Sequence, residues 1–221
     1  MIVDSLCFML NILPNNRLMV GKDSGRDITP LASRVYNNKV AKWRIPLDMD
    51  ALLAMKQRRS CRKFDPNKEV EQDKLDRIIE AGLYAPSGVG AQSAKFIVIR
   101  NKAKRDELMK INAEILGRGN VDPFYGAPVV ILVVVDKKAP CAIYDGALAL
   151  GNLMNAAEAE GLCSIWIHRA KQEIEMDYGK ELLKSIGLEG EYEGVGHCCI
   201  GYGENPKVFA ERKPGRVFYI D

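Results

Sequence analysis

Leu75, Ile78, Ile79 and Leu83 fall on one face at helical spacing, and the run stops short of Pro86, which disfavours helix in the residue before it. The same period places Leu108, Ile111 and Ile115 on one face of a helix over Ala103–Leu116, with Gly117 at its end. Met49–Gln57 carries Leu52, Leu53 and Met55 and reads as a short helix. Tyr144–Glu160 reads as a helix rich in Gly and Ala, closed by Gly161, and Glu173–Ile186 as a helix capped by Gly187. Between these lie apolar runs without helical period. Phe96–Ile99 and Cys163–Ile167 are short strands, and Val195–Tyr202 is the last long one. Val129–Val135 is an unbroken β-branched and aliphatic run, the pattern of a strand covered on both faces. The tail ends in the strand-like Arg216–Ile220. Strands interleave with helices, so the expected class is α+β in one layered domain.

Residues 1–48 do not share this order. They mix polar and apolar positions without a period, and Met49 opens the first regular run. We read 1–48 as an N-terminal extension and 49–221 as the functional domain. Met1–Leu13 is apolar but lacks a basic leader and a small-residue cleavage site, so it is not read as a targeting segment.

The 221 residues are 47% hydrophobic and 28% charged, enough apolar content for a substantial core. A net charge of +3 with interspersed signs does not predict nucleic-acid binding, and no apolar run reaches the ~18 residues of a membrane span. Six cysteines occur without CxxC or Cys/His zinc spacing, and the chain has only two histidines, His168 and His197. No metal site is therefore expected, and a reducing cytoplasm is the expected compartment. Cys198 and Cys199 are adjacent on a strand and should point to opposite faces.

Two segments carry candidate chemistry. Arg58-Arg59-Ser60-Cys61-Arg62-Lys63-Phe64 concentrates four cations and a hydroxyl, the donor set that a phosphate needs. Its plainer reading is a solvated basic face after a helix C-terminus. Ala85-Pro86-Ser87-Gly88-Val89-Gly90-Ala91-Gln92 is a turn whose backbone can approach a flat ring, with Gln92 reaching a polar edge. Its plainer reading is an ordinary helix-to-strand connection. GxGxxG after a first strand, GxxxxGK[ST] and GxSxG are all missing, which argues against Rossmann, P-loop and α/β-hydrolase chemistry. Asp145 reads as a helix-start residue and Asp136 as a strand end.

Taken in order, these segments, with Ala127-Pro128-Val129-Val130, Asp145 before its small-residue helix, Gly161–Trp166, Ile200-Gly201-Tyr202 and Arg212-Lys213-Pro214, resemble the nitroreductase family of FMN-dependent oxidoreductases from about Met49 onward. The resemblance implies a mostly antiparallel sheet flanked by helices in an interlocked homodimer, with FMN at the subunit interface and NADH or NADPH as reductant. It implies that Arg58, Arg59 and Ser60 hold the phosphate and ribityl chain, completed by Arg212 and Lys213. Arg62 would face the pyrimidine edge of the ring. Pro86, Ser87, Gly88 and Gln92 would line the ring from the other subunit, and Ile167, His168 and Arg169 would follow its N5 side through backbone groups. Val217–Ile220 would cross to the partner's sheet. No side chain need be catalytic, since flavin N5 carries the chemistry. His168 is a candidate proton donor, more simply read as a satisfied structural histidine.

The implied activity is hydride transfer to a small-molecule acceptor, a nitroaromatic, a quinone or a similar compound. Alternatives within the fold are a reductive dehalogenase or a flavin-fragmenting enzyme. Outside it stand a non-catalytic flavin-binding protein and a plain anion-binding domain. Three departures bear on the substrate. Gly90 stands where many relatives carry a flavin-bonding Asn. Ser93-Ala94 replaces the usual Pro-aromatic pair. His168-Arg169 occupies the neighbourhood of the usual Glu-Gly.

Overall fold

In the computed structural model, residues 50–204 and 211–221 are described; the expectations for residues 1–48, and for Met49 as the start of the domain, lie outside them. Helix α1 (Ala51–Gln57) is capped by the Asp50 carboxylate, which accepts the Leu52 N–H at 3.0 Å. Helix α2 (Gln72–Leu83) follows, and a single 3-10 turn at Gly88–Gly90 leads to β1 (Ala94–Ile99). Then come α3 (Lys102–Ile115), β2 (Val129–Asp136), α4 (Ala142–Ala159), β3 (Cys163–Ile167), α5 (Ala170–Glu175), α6 (Asp177–Ser185) and β4 (Tyr192–Gly201).

The strands form one antiparallel sheet in the order β1-β2-β4-β3. Strand β2 lies inside it and is buried on both faces, as its unbroken apolar run predicts. Its odd-numbered residues Val129, Ile131, Val133 and Val135 join Leu75 and Ile78 of α2 and Leu150, Leu153 and Ala157 of α4. Its even-numbered residues Val130, Leu132 and Val134 join Leu108 of α3, Ile174 of α5 and Leu183 of α6. The period of two thus divides the core into two layers, one on each side of the sheet. Each fully buried Val, Leu or Ile here contributes about 1.5–3 kcal/mol of hydrophobic stabilisation. Cys198 and Cys199 face opposite layers, as adjacent strand residues must.

One sequence expectation is corrected. The helix expected over Glu173–Ile186 is two helices, broken where Met176 is extended (φ −73°, ψ 163°). Gly179 explains the break: a Cβ there would meet the Glu173 carbonyl oxygen at 2.3 Å and the Ile174 Cα at 2.4 Å. The chain folds α6 back against the end of α5, and only a residue without a side chain allows that approach. The strand-like residues 216–220 pair with no strand of their own chain among the described residues, and Val217, Phe218, Tyr219 and Ile220 are all exposed. A strand needs a neighbour for its backbone groups, and the described residues supply none.

Candidate functional site

The basic segment lies along the outer edge of β3. Arg58 ends α1, its N–H bonded to the Ala54 carbonyl at 2.9 Å. Arg59 folds back and donates through Nη1 to the carbonyls of Lys56 and Arg58. Ser60 then pairs with Ser164 of β3 in a parallel bridge, and the Cys61 N–H donates to the Ser164 carbonyl at 3.0 Å. Phe64 and Asp65 join the end of β4 through Gly203 and Tyr202. Apolar anchors fix this path: Cys61 and Phe64 are buried, whereas Arg62 and Lys63 are exposed. Burial, and then the neighbouring Cys61, pushes the Cys163 thiol up to about 12, so at neutral pH it is an uncharged packing group. Burial likewise raises Cys198 to about 12, against the opposing pull of the Arg58 charge.

The same edge carries the end of β3. Ser164 turns its carbonyl outward to Cys61, so by strand alternation Trp166 presents backbone groups outward too, followed past the strand's end by the His168 N–H. At ~3.3 Å per residue, Ser60 and His168 lie roughly 13 Å apart along this edge. Ile167 is buried, His168 is exposed, and Arg169 adopts a left-handed backbone (φ 80°) as the cap of α5. His168 is therefore not the satisfied structural histidine expected of it, whereas His197 is wholly buried.

The loop lies at the opposite edge of the sheet, before β1. Its organiser is Asp145, in the first turn of α4 and only 4% exposed. One carboxylate oxygen accepts the Gly88 N–H at 2.9 Å and the other the Ser93 hydroxyl at 3.0 Å. Ser87 Oγ accepts the Gln92 N–H at 3.0 Å. Gly88 has no room for a side chain, since a Cβ would stand 2.6 Å from Cys141 Sγ. Gln92 is held at φ 46°, an uncommon conformation for a residue other than glycine. Pro86, Ser87, Gln92 and Asp145 help to line a cleft of about 250 Å³. Asp145 was legible as a helix-start residue, but its bonds to residues more than fifty positions away were not.

One chain therefore brings the predicted residues together as two groups. Arg58, Arg59, Ser60, Ile167, His168 and Arg169 share the β3 edge, with Arg62 exposed beside them. Pro86, Ser87, Gly88 and Gln92 lie by β1, three strand spacings away, roughly 14 Å. Arg212 and Lys213 sit in the exposed tail, where the adjoining cleft is lined by residues 212–217 alone. Guanidinium groups, a hydroxyl and outward N–H groups along one strand edge are a donor set for an elongated anion whose far end accepts hydrogen bonds.

Comparison with known proteins bears on this arrangement. The sequence profile described as "Nitroreductase family" matches residues 55–202. A protein of Methanothermobacter thermautotrophicus named "Putative NADH dehydrogenase/NAD(P)H nitroreductase" is 32% identical over 127 residues, 53% of this chain and 60% of that protein. The match thus spans less than two thirds of that relative's length. The crystal structure of an FMN-bound nitroreductase from Bacteroides fragilis, 28% identical, superposes on 79% of this chain and 100% of its own with a TM-score of 0.70. An iodotyrosine deiodinase bound to FMN and 3-iodo-L-tyrosine is similar in fold, at 23% identity and a TM-score of 0.62 over 78% of this chain and 100% of that one.

Proposed function

The chain belongs to the nitroreductase family, and from that premise we propose that it is an FMN-dependent oxidoreductase whose site is completed by a second copy of the same chain. When bound, FMN supplies a two-electron hydride carrier between NADH or NADPH and a small acceptor such as a nitroaromatic or a quinone. The protein's part is to bind, orient and tune. Arg58, Arg59 and Ser60 hold the phosphate end, and Arg212 and Lys213 of the tail complete that charge. Arg62 faces the pyrimidine edge and stabilises the negative charge that reduction places on the ring, an effect that strengthens as water is excluded. The backbone of Ile167–Arg169 lies along the N5 side.

A second copy is required on this reading because the ring-lining loop and the basic segment occupy opposite edges of one sheet. Surface chemistry supports a dimer. Helix α1 packs on α4, and together they expose Leu52, Leu53, Met55, Tyr144 and Leu148. So many neighbouring apolar side chains on open surface mark an interaction site. Strand β1 is an edge with one sheet neighbour, and the exposed Val217–Ile220 segment suits pairing with an edge on the partner.

The observation that carries the proposal is the placement of the Arg58–Ser60 segment and of His168 on one edge of β3. Anaerobic titration of the FMN-loaded protein tests it. NADH or NADPH should bleach the visible flavin absorption, and a nitroaromatic or quinone should restore it. Protein that retains no FMN, or whose FMN neither nicotinamide reduces, contradicts the proposal.

A further inference from the structure

Beneath the junction of β3 and α5 runs a buried chain of polar side chains that the proposed chemistry does not use. Arg169 Nε donates to Asn112 Oδ1 at 2.9 Å. Asn112 Nδ2 donates to Glu173 Oε1 and, at 3.1 Å, to the His168 carbonyl. Glu173 Oε2 stands 2.7 Å from His197 Nε2, and neither atom makes a hydrogen bond of regular geometry among the described residues. His197 Nδ1 lies 3.1 Å from the Ile167 carbonyl and donates to it. Asn112, Glu173 and His197 are at most 1% exposed.

We propose that Asn112, Glu173 and His197 are positioning residues that aim the backbone N–H groups of His168 and Arg169 at the flavin. The inference rests on the FMN reading above and names what holds its N5 side in place. In a planar trans peptide the carbonyl of one residue and the N–H of the next point in opposite directions. The Ile167 carbonyl is drawn inward by His197, so the His168 N–H faces outward. The His168 carbonyl is drawn inward by Asn112, so the Arg169 N–H faces away from Asn112. Two consecutive donors are thereby directed away from the buried chain. Arg169 reaches this arrangement only in the left-handed region, at φ 80°, and such strain persists where surrounding bonds over-determine it. Burying a carboxylate, an imidazole and a carboxamide gives less stability than apolar packing of the same shape, so a positional role explains them better than a stabilising one.

Two measurements test the inference. Histidine occurs only at 168 and 197, so protein labelled with [15N]histidine gives two backbone amide signals. Adding FMN should shift the His168 amide strongly and move the His197 amide, which lies within the sheet, much less. The second measurement compares variants. His197→Asn keeps a donor where Nδ1 stood, whereas His197→Gln keeps only the reach toward Glu173. His197→Gln and Asn112→Ala should weaken binding of oxidised FMN about tenfold, and His197→Asn should stay near wild type. Oxidised N5 accepts a hydrogen bond while reduced N5 carries hydrogen, so oxidised FMN loses more affinity than reduced FMN. The midpoint potential then rises by about 30 mV for each tenfold difference between the two losses. A His168 amide unmoved by bound FMN, or folded variants with wild-type FMN affinity and potential, overturns the positioning role and leaves the flavin reading standing. Wild-type protein that binds no FMN brings down both. Should the variants not fold, the labelled wild-type chain decides alone.

Discussion

Arg58 shows how much one residue's meaning depends on its place. At the end of a helix a cation is favoured by the dipole alone, and its presence needs no ligand. Two residues on, however, Ser60 is tied to β3, which sets Arg58 beside that edge. If it partners a phosphate there, Arg58→Ala should weaken FMN binding by about 2–4 kcal/mol, measured by fluorescence quenching of added FMN. Unchanged affinity would remove Arg58 from the site. Asp145 is a second case. Its carboxylate has two loop donors as partners, and Asp145→Ala leaves the Gly88 N–H and the Ser93 hydroxyl without an acceptor. The expected loss of stability is about 1–3 kcal/mol by chemical denaturation, with weaker FMN binding because the loop loosens. The cationic cluster was legible because charge stands out in sequence. The roles of Asp145 and His197 were not, since both depend on partners that lie far away along the chain.

Among the elements, period and punctuation located the regular segments well. Cys163–Ile167 has the bounds that the apolar run predicts, and β2 is covered on both faces as its composition requires. The break between α5 and α6 was hidden because Glu173–Ile186 keeps a helical pattern and a good cap. What interrupts it is the backbone contact at Gly179, which no local pattern encodes. Gly179→Ala puts a methyl group into the Glu173 carbonyl and should lower stability by about 1–3 kcal/mol. Because Glu173 sits in the buried chain under the β3–α5 junction, the same variant should also weaken FMN binding. Wild-type melting behaviour in this variant would mean that α6 can shift without cost. Arg216–Ile220 has strand composition and no strand partner within its own chain among the described residues, and a strand is defined by its neighbour.

For the whole molecule, the sheet's layout matters most. It separates the basic edge from the ring-lining loop, so neither group alone suits a flavin mononucleotide. Periodicity could not reveal that separation; the motif order that resembles the nitroreductase family implied a shared interface. Exposed Tyr144 and Leu148 on α4 belong to the apolar surface that a second copy would cover. Replacing both by Glu should leave each chain folded, because neither side chain is in the core, and should yield monomers by sedimentation that no longer retain FMN. A folded monomer that keeps its flavin would break the link between pairing and binding.

Native mass spectrometry of the purified protein tests the central claim most directly. Two chains of 24.6 kDa each, carrying two FMN molecules that leave together when the pair dissociates, is the predicted result. A single chain that holds FMN by itself, or a pair that takes up none when FMN is supplied, would contradict it.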